Sequence, residues 1–193
     1  SIVIEPNFTK ANSKKEIQSE QFSYDAQNAL LNSSTSDNFS ENDLNSFTNT
    51  LSFTKTFKKK GKNLSIVFKN ENTVNENDDY IKSKTVFNQT SDPDDIRNQF
   101  NETKNKNDNY YTEIEYTQPI TDSLKVKLGA EYKFNKNKDN RDSFNYDDNT
   151  QSYTIINDEL TNIFGSTEKT ISPNVGITVN KKKLNFDLNL GTS

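Results

Sequence analysis

The chain has 193 residues, only 29% of them hydrophobic, and a formal net charge of −4. With a mean hydropathy of −1.02 and no run of 18 consecutive apolar residues, it contains no transmembrane helix, a fact that leaves β-barrels open because their strands need an apolar residue only at alternate positions. The absence of Cys and His excludes disulfides, thiolate chemistry and imidazole catalysis.

Aromatic residues make up 11%, and the apolar residues gather in windows that alternate with a period of two, which argues against general disorder. Ser1 to Lys10 carries Ile2, Ile4 and Phe8 on one parity and reads as a strand. Pro6 removes a ladder donor and predicts an edge position or an irregularity. Ala11 to Asp43 is polar and is expected to be a long connection.

Phe47, Leu51, Phe53 and Phe57 then share one parity against Thr48, Thr50, Ser52, Thr54 and Thr56. Lys58 to Asn63 predicts a tight turn in which Gly61 supplies a positive φ. The chain returns with Leu64, Ile66 and Phe68 on one parity, Val74 extending it more weakly. A second polar and acidic segment, Asn75 to Asn107, is expected to be another long connection.

The second hairpin sets Tyr110, Thr112, Ile114 and Tyr116 against Tyr111, Glu113, Glu115 and Thr117. Pro119 to Ser123 is expected to turn it. Leu124, Val126, Leu128, Ala130, Tyr132 and Phe134 then alternate with Lys125, Lys127, Gly129, Glu131 and Lys133, a clear strand pattern. Asn135 to Thr167 is the third polar segment, within which Ser143 to Ile156 has the aromatic content to extend the strands. The third hairpin places Ile171, Pro173, Val175, Ile177 and Val179 on one parity, turns through Asn180 to Lys183, and returns with Leu184, Phe186, Leu188 and Leu190.

Short turns at one end and connections of about 30 residues at the other fit an outer-membrane barrel better than a soluble sandwich, whose loops are short at both ends. The predicted fold class is therefore all-β: an antiparallel up-and-down meander of about seven long strands, an incomplete transmembrane β-barrel with short periplasmic turns and long outer loops. Residues 1–193 are expected to form one partial barrel domain, without plug or signal peptide, cut from a longer protein and open at both edges. The expected lipid-facing residues are Leu51, Phe53, Phe57, Leu64, Ile66, Phe68, Ile114, Tyr116, Leu124, Val126, Leu128, Tyr132, Phe134, Val175, Ile177, Val179, Leu184, Phe186 and Leu188. Glu113, Glu115, Lys125, Lys127, Glu131 and Lys133 are expected to face a wet lumen, the glutamates opposite Lys125 and Lys127. Tyr110, Tyr116 and Tyr132 sit where an aromatic girdle belongs. Lys55 departs from the pattern, close enough to the turn to snorkel.

Several stretches carry a family resemblance. Leu51 to Ser65, Glu115 to Ile120 with Leu128 to Tyr132, Asp139 to Asp147, and Asn180 to Asn185 resemble the outer-membrane β-barrel family related to TonB-dependent receptors. The resemblance implies a receptor or transporter in the bacterial outer membrane, often with a plug-like region, a carboxypeptidase-regulatory-like domain and a TonB box, none of which is identified in this sequence. It carries no active-site motif. Its implied partners are outer-membrane lipid and, through other regions, an energy-coupling protein and a surface lipoprotein.

Chemistry-bearing clusters have plainer readings. Lys58 to Lys62 and Lys181 to Lys183 lie in turns of an acidic chain, which points to solvated turns rather than nucleic acid. The Asp92, Asp94, Asp95 and the Asp139, Asp142, Asp147, Asp148 groups do not match the 12-residue EF-hand spacing and read as loop acids. Glu113, Glu115 and Glu131 lack a nucleophile or base partner set. No enzyme activity, metal or cofactor is expected. The rival reading is a secreted or cell-surface soluble β-sheet binding module of adhesin type, which requires two packed layers.

Overall fold

In the computed structural model, which describes residues 1–181 and 184–192, the chain forms one antiparallel sheet. Its strands are β1 (Ile2–Tyr24), β2 (Leu30–Thr56), β3 (Asn63–Phe87), β4 (Asp95–Pro119), β5 (Leu124–Asp147), β6 (Ser152–Ile156), β7 (Asn162–Lys181) and β8 (Leu184–Gly191). The sheet order is β1-β2-β3-β4-β5-β7-β8, with β6 pairing on β5. β1 and β8 are its open edges, so the meander does not close. Pro6 lies on edge strand β1, opposite Asn49, where its missing N–H costs no interior ladder bond.

Both β6 and β7 pair with β5. They form one return path interrupted by residues 157–161, and the expected count of about seven strands corresponds to this path.

The three polar segments are strands rather than loops. β2 to β5 run for 27, 25, 25 and 24 residues, and the segments 11–43, 75–107 and 135–167 are mostly taken up by their outer halves and by β1, β6 and β7. The true outer connections are 25–29, 88–94 and 148–151, as short as the inner ones. Polar residues sustain these ladders because both faces are wet and Ser, Thr and Asn bond across strands. Ser34 and Thr85 are 3.0 Å apart, Ser46 and Thr73 3.2 Å, and Asn72 Nδ2 donates to Asp108 Oδ1 at 2.7 Å.

Local chemistry fixes the turns. In the β2–β3 turn Phe57 N–H donates to Lys62 C=O at 3.1 Å and Gly61 adopts φ +79°. In the β4–β5 turn, which starts after Pro119, Thr121 Oγ1 accepts from the N–H groups of Ser123 and Leu124. Asp25 Oδ1 accepts from the N–H groups of Gln27 and Ala29 beside Asn28 at φ 63°. The Asn149 N–H bonds Asp147 at 2.9 Å and holds its carboxyl below the usual carboxylate range. β7 continues through Lys181; Lys182 and Lys183, part of the expected turn, lie outside the described residues.

At about 3.4 Å per residue, a 25-residue strand is roughly 85 Å long. Tilted by about 40°, it rises roughly 65 Å, far more than the ~25 Å apolar band of an outer-membrane barrel.

Candidate functional site: an inside-out sheet with a polar inner face

Residues paired directly across an antiparallel ladder point to the same side, so the register sorts the chain into two faces. One row joins Ile2, Phe53, Ile66, Ile114 and Ala130 to Pro173. The next joins Leu64, Tyr116, Leu128 and Val175, and another joins Ile4, Leu51, Phe68, Thr112, Tyr132 and Ile171. Val126, Ile177 and Leu188 share a row, as do Leu124, Val179 and Phe186, while Leu184 pairs with Lys181. Every strand residue expected on the apolar face is brought to one face; Phe57 lies in the turn just past β2.

Among the described residues nothing covers that face. Among the described residues no hydrophobic side chain is buried, and Ile114 (45%), Leu128 (52%) and Leu188 (41%) are largely exposed. Apart from Pro119, the buried side chains are polar, namely Gln99, Asn101, Ser143, Thr117 and Thr178. All five lie on the opposite face, so the sheet curls around its polar side. This inverts the soluble pattern, in which apolar side chains fill the interior.

Aromatic side chains mark both margins of the apolar zone. At the upper margin Phe68, Tyr110 and Phe134 stand in line, with centroids 6.4 and 5.9 Å apart and Lys169 Nζ 5.8 Å from the Phe134 ring. At the lower margin Phe57 meets Tyr116 edge-on at 6.5 Å, with Lys62 Nζ 4.8 Å and Lys55 Nζ 5.2 Å from the Phe57 ring. Lys55 thus keeps its stem along the apolar face and its charge at the turn. Tyr132 lies within the zone. Tyr116 stands three residues from the inner end of β4 and Phe57 just past β2, whereas Tyr110 and Tyr132 lie mid-strand because the strands continue beyond the upper margin.

The polar face carries all six residues expected in the lumen, but neither glutamate of β4 pairs as expected. Glu113 stands opposite Glu131, not opposite Lys125 or Lys127, and Glu115 stands between Ser65 and Gly129. Lys127 is flanked by Thr117 and Gly176, and Lys125 by Pro119 and Thr178. Other contacts moderate the like-charge pair: Lys133 Nζ lies 3.2 Å from Glu131 Oε2, and Tyr111 OH donates to Glu113 Oε2 at 2.9 Å. Lys133 itself sits between Tyr111 and Thr170.

Beyond the upper margin the same outer face turns charged, then aromatic. Glu41, Asp78, Glu102 and Asp142 form a row of carboxylates, with Lys14 paired to Glu41. Burial, followed by the charges of Glu41, Glu76 and Asp43, pushes Asp78 above the usual carboxylate range. One row further, Phe39, Tyr80, Phe100 and Phe144 adjoin, Tyr80 and Phe100 at 4.7 Å, and Tyr153 of β6 packs over them. Among the described residues no three carboxylates converge to hold a metal ion.

The inner face has its densest polar cluster at the outer end of β4 and β5. Ser143 Oγ donates to Asn101 Oδ1 at 2.7 Å, and Arg97 Nε donates to Gln99 Oε1 at 2.6 Å. The chain between β6 and β7 closes on this cluster. Asn157 N–H donates to Ser143 C=O at 2.8 Å, Asn157 Nδ2 to Asn145 Oδ1 at 3.3 Å, and Ser143 N–H to Thr161 Oγ1 at 3.1 Å. Sequence reasoning missed this cluster; its one sequence signal is that Arg97 and Arg141, the chain's two arginines, fall on one face of neighbouring strands.

An unclosed antiparallel meander with an exposed apolar band, aromatic margins and a polar inner face defines a partial transmembrane β-barrel. The sequence matches the outer membrane protein beta-barrel family over residues 55–192, and the chain belongs to that family, whose place is the bacterial outer membrane. No curated protein and no solved structure matches it.

Proposed function

We propose that the chain is part of a non-catalytic outer-membrane receptor or transporter of the TonB-dependent-receptor kind, which binds a ligand at the cell surface or takes it up. In this reading the apolar face meets lipid and the polar face lines a lumen, within one partial barrel domain. The observation that carries it is the inside-out distribution: exposed Ile114 and Leu128 on one face, buried Gln99, Asn101 and Ser143 on the other. Strands that rise about 40 Å beyond the lipid band supply a tall polar wall facing the outside, which suits capture of a ligand before passage. The partners are outer-membrane lipid, an inner-membrane energy-coupling protein and a surface lipoprotein; nucleic acid has no place in this reading.

The rival, a soluble adhesin-like module, requires a second layer over the apolar face, and none covers it among the described residues.

In-cell crosslinking of the protein that carries this chain, with and without dissipation of the proton gradient, tests the proposal. A crosslink to the energy-coupling protein that depends on the gradient supports it. A heat-modifiable outer-membrane protein that never crosslinks and conducts ions passively in planar bilayers overturns the receptor reading in favour of a simple pore.

A further inference from the structure

We infer that the outer mouth of the polar face holds a binding site for a zwitterion, a free amino acid or short peptide, seated in a cavity that Arg97, Gln99, Asp95 and Asp148 line together. This deepens the receptor reading and rests on the polar face being the lumen.

A cavity of about 620 Å³ lies there, lined by Asp95, Arg97, Gln99, Asn145, Asp148 and Asn157 among others. That size is ordinary for a small-molecule site. Its floor contains an orphaned donor. Gln99 is 1% exposed, its Oε1 is taken by Arg97 Nε, and its Nε2 has no partner. Arginine only donates, so the Gln99 oxygen must face it and the amide nitrogen is the free end. Asn101 repeats the arrangement one row further in: Oδ1 accepts from Ser143, Nδ2 has no partner, and the residue is 1% exposed. Arg141 follows on the same face with an unpartnered buried Nε. Buried donors without partners are costly, and of these three only Gln99 lines the cavity.

The charges lining the cavity complete the argument. Arg97, Asp95 and Asp148 share it, yet among the described residues none of the three is in an ion pair. A purely anionic ligand meets two carboxylates, and a purely cationic one meets a guanidinium. A zwitterion answers both: its carboxylate accepts from the Arg97 fork, which Gln99 Oε1 steadies through Nε, the geometry arginine recognises best, and its ammonium faces Asp148 and Asp95.

Calorimetric titration of the detergent-solubilised protein with triglycine, triglycine amide and N-acetyl-triglycine tests this. Triglycine is expected to bind, with either cap weakening binding by about tenfold or more. Arg97→Gln is expected to erase the difference between acid and amide, and Asp148→Asn the difference between free and acetylated amine. Both side chains are exposed at the mouth, and retained heat-modifiable migration verifies the fold of each variant. Equal binding of all three peptides, no binding by any of them, or an unchanged acid preference in Arg97→Gln overturns the inference. Triglycine binding without gradient-dependent crosslinking leaves the site standing and removes the transport reading; crosslinking without triglycine binding does the reverse.

Discussion

Replacing Ile114 by arginine tests the membrane assignment at its centre. Ile114 lies mid-way along the apolar stretch of β4, between Ile66 and Ala130 in its row, and is 45% exposed with no protein layer over it. In water such a substitution on an exposed strand position costs within about 0.5 kcal/mol. At the midplane of a lipid bilayer it costs about 2–4 kcal/mol, a change of roughly 30- to 700-fold in the folded-to-unfolded ratio. With a urea slope of about 2–3 kcal/mol per molar, the unfolding midpoint in lipid vesicles falls by roughly 1–2 M. Two controls locate the effect. Glu113→Arg changes the neighbouring residue on the other face, where Glu113 now faces Glu131, and is expected to be neutral or mildly stabilising. Glu102→Arg lies on the same face as Ile114 but further out, in the row with Asp78 and Asp142, and is likewise expected to cost nothing. A loss at Ile114 no larger than at the two controls refutes the placement of a lipid band on this face.

Asp78→Asn is expected to stabilise the outer half of the sheet at neutral pH. Asp78 is raised by burial and by its acidic neighbours, so the folded state binds its proton more tightly than the unfolded chain. Its contribution to stability therefore falls as pH rises through the raised titration range, and the advantage of the variant closes as pH drops below it; hydrogen exchange on β3 at two pH values reads the difference. Gly61→Ala is expected to cost about 1 kcal/mol, because φ +79° disfavours a Cβ while the space itself is open apart from Lys125 at 3.4 Å; Gly61→Asn loses less, and denaturant midpoints rank the two. Ser143→Ala leaves Asn101 Oδ1 buried without its 2.7 Å donor and is expected to cost about 1–3 kcal/mol, measured by unfolding in detergent.

The parts of the fold legible in the sequence are those where lipid imposes a rule. From Leu124 to Phe134 one side of the strand meets an apolar medium and the other a polar one, so the residues alternate and the strand can be read directly. From Asn135 to Asp147 the same strand continues with water on both sides. No alternation is required there, the composition turns to Asn, Lys and Asp, and the strand looks like a loop. The three long connections expected from the sequence arise from that loss of contrast. Register is the other blind spot: parity puts Glu113 and Glu131 on one face, but only the pairing shows them opposite one another. The mouth cluster was hidden for a related reason, since Gln99, Asn101 and Ser143 are ordinary polar residues until residues 157–161 fold against them.

The same contrast decides how the outer sheet keeps its register. A one-residue slip in the lipid band would move every apolar side chain to the polar face, so the band is strongly pinned. Outside it both faces are polar and a slip costs little by burial alone. The outer ladders therefore inherit their register by continuity from the band, over some 14 further residues of β3 between Glu71 and Lys84. The row of Phe39, Tyr80, Phe100 and Phe144 supplies a second pin near the far end. These rings meet at centroid distances of 4.7 to 6.1 Å, each such pair contributing about 0.5–1.5 kcal/mol beyond its burial, and a slip by one residue would send alternate rings to opposite faces. Between the two pins stands the carboxylate row around Asp78, whose mutual repulsion favours no register, so that the charges there hold it only through the exposed Lys14–Glu41 and Lys104–Glu76 pairs. The sheet is thus held at the lipid and at the aromatic row, and the polar mouth formed by Arg97, Gln99 and Asp148 lies beside the second of these, on strands whose relative positions it fixes.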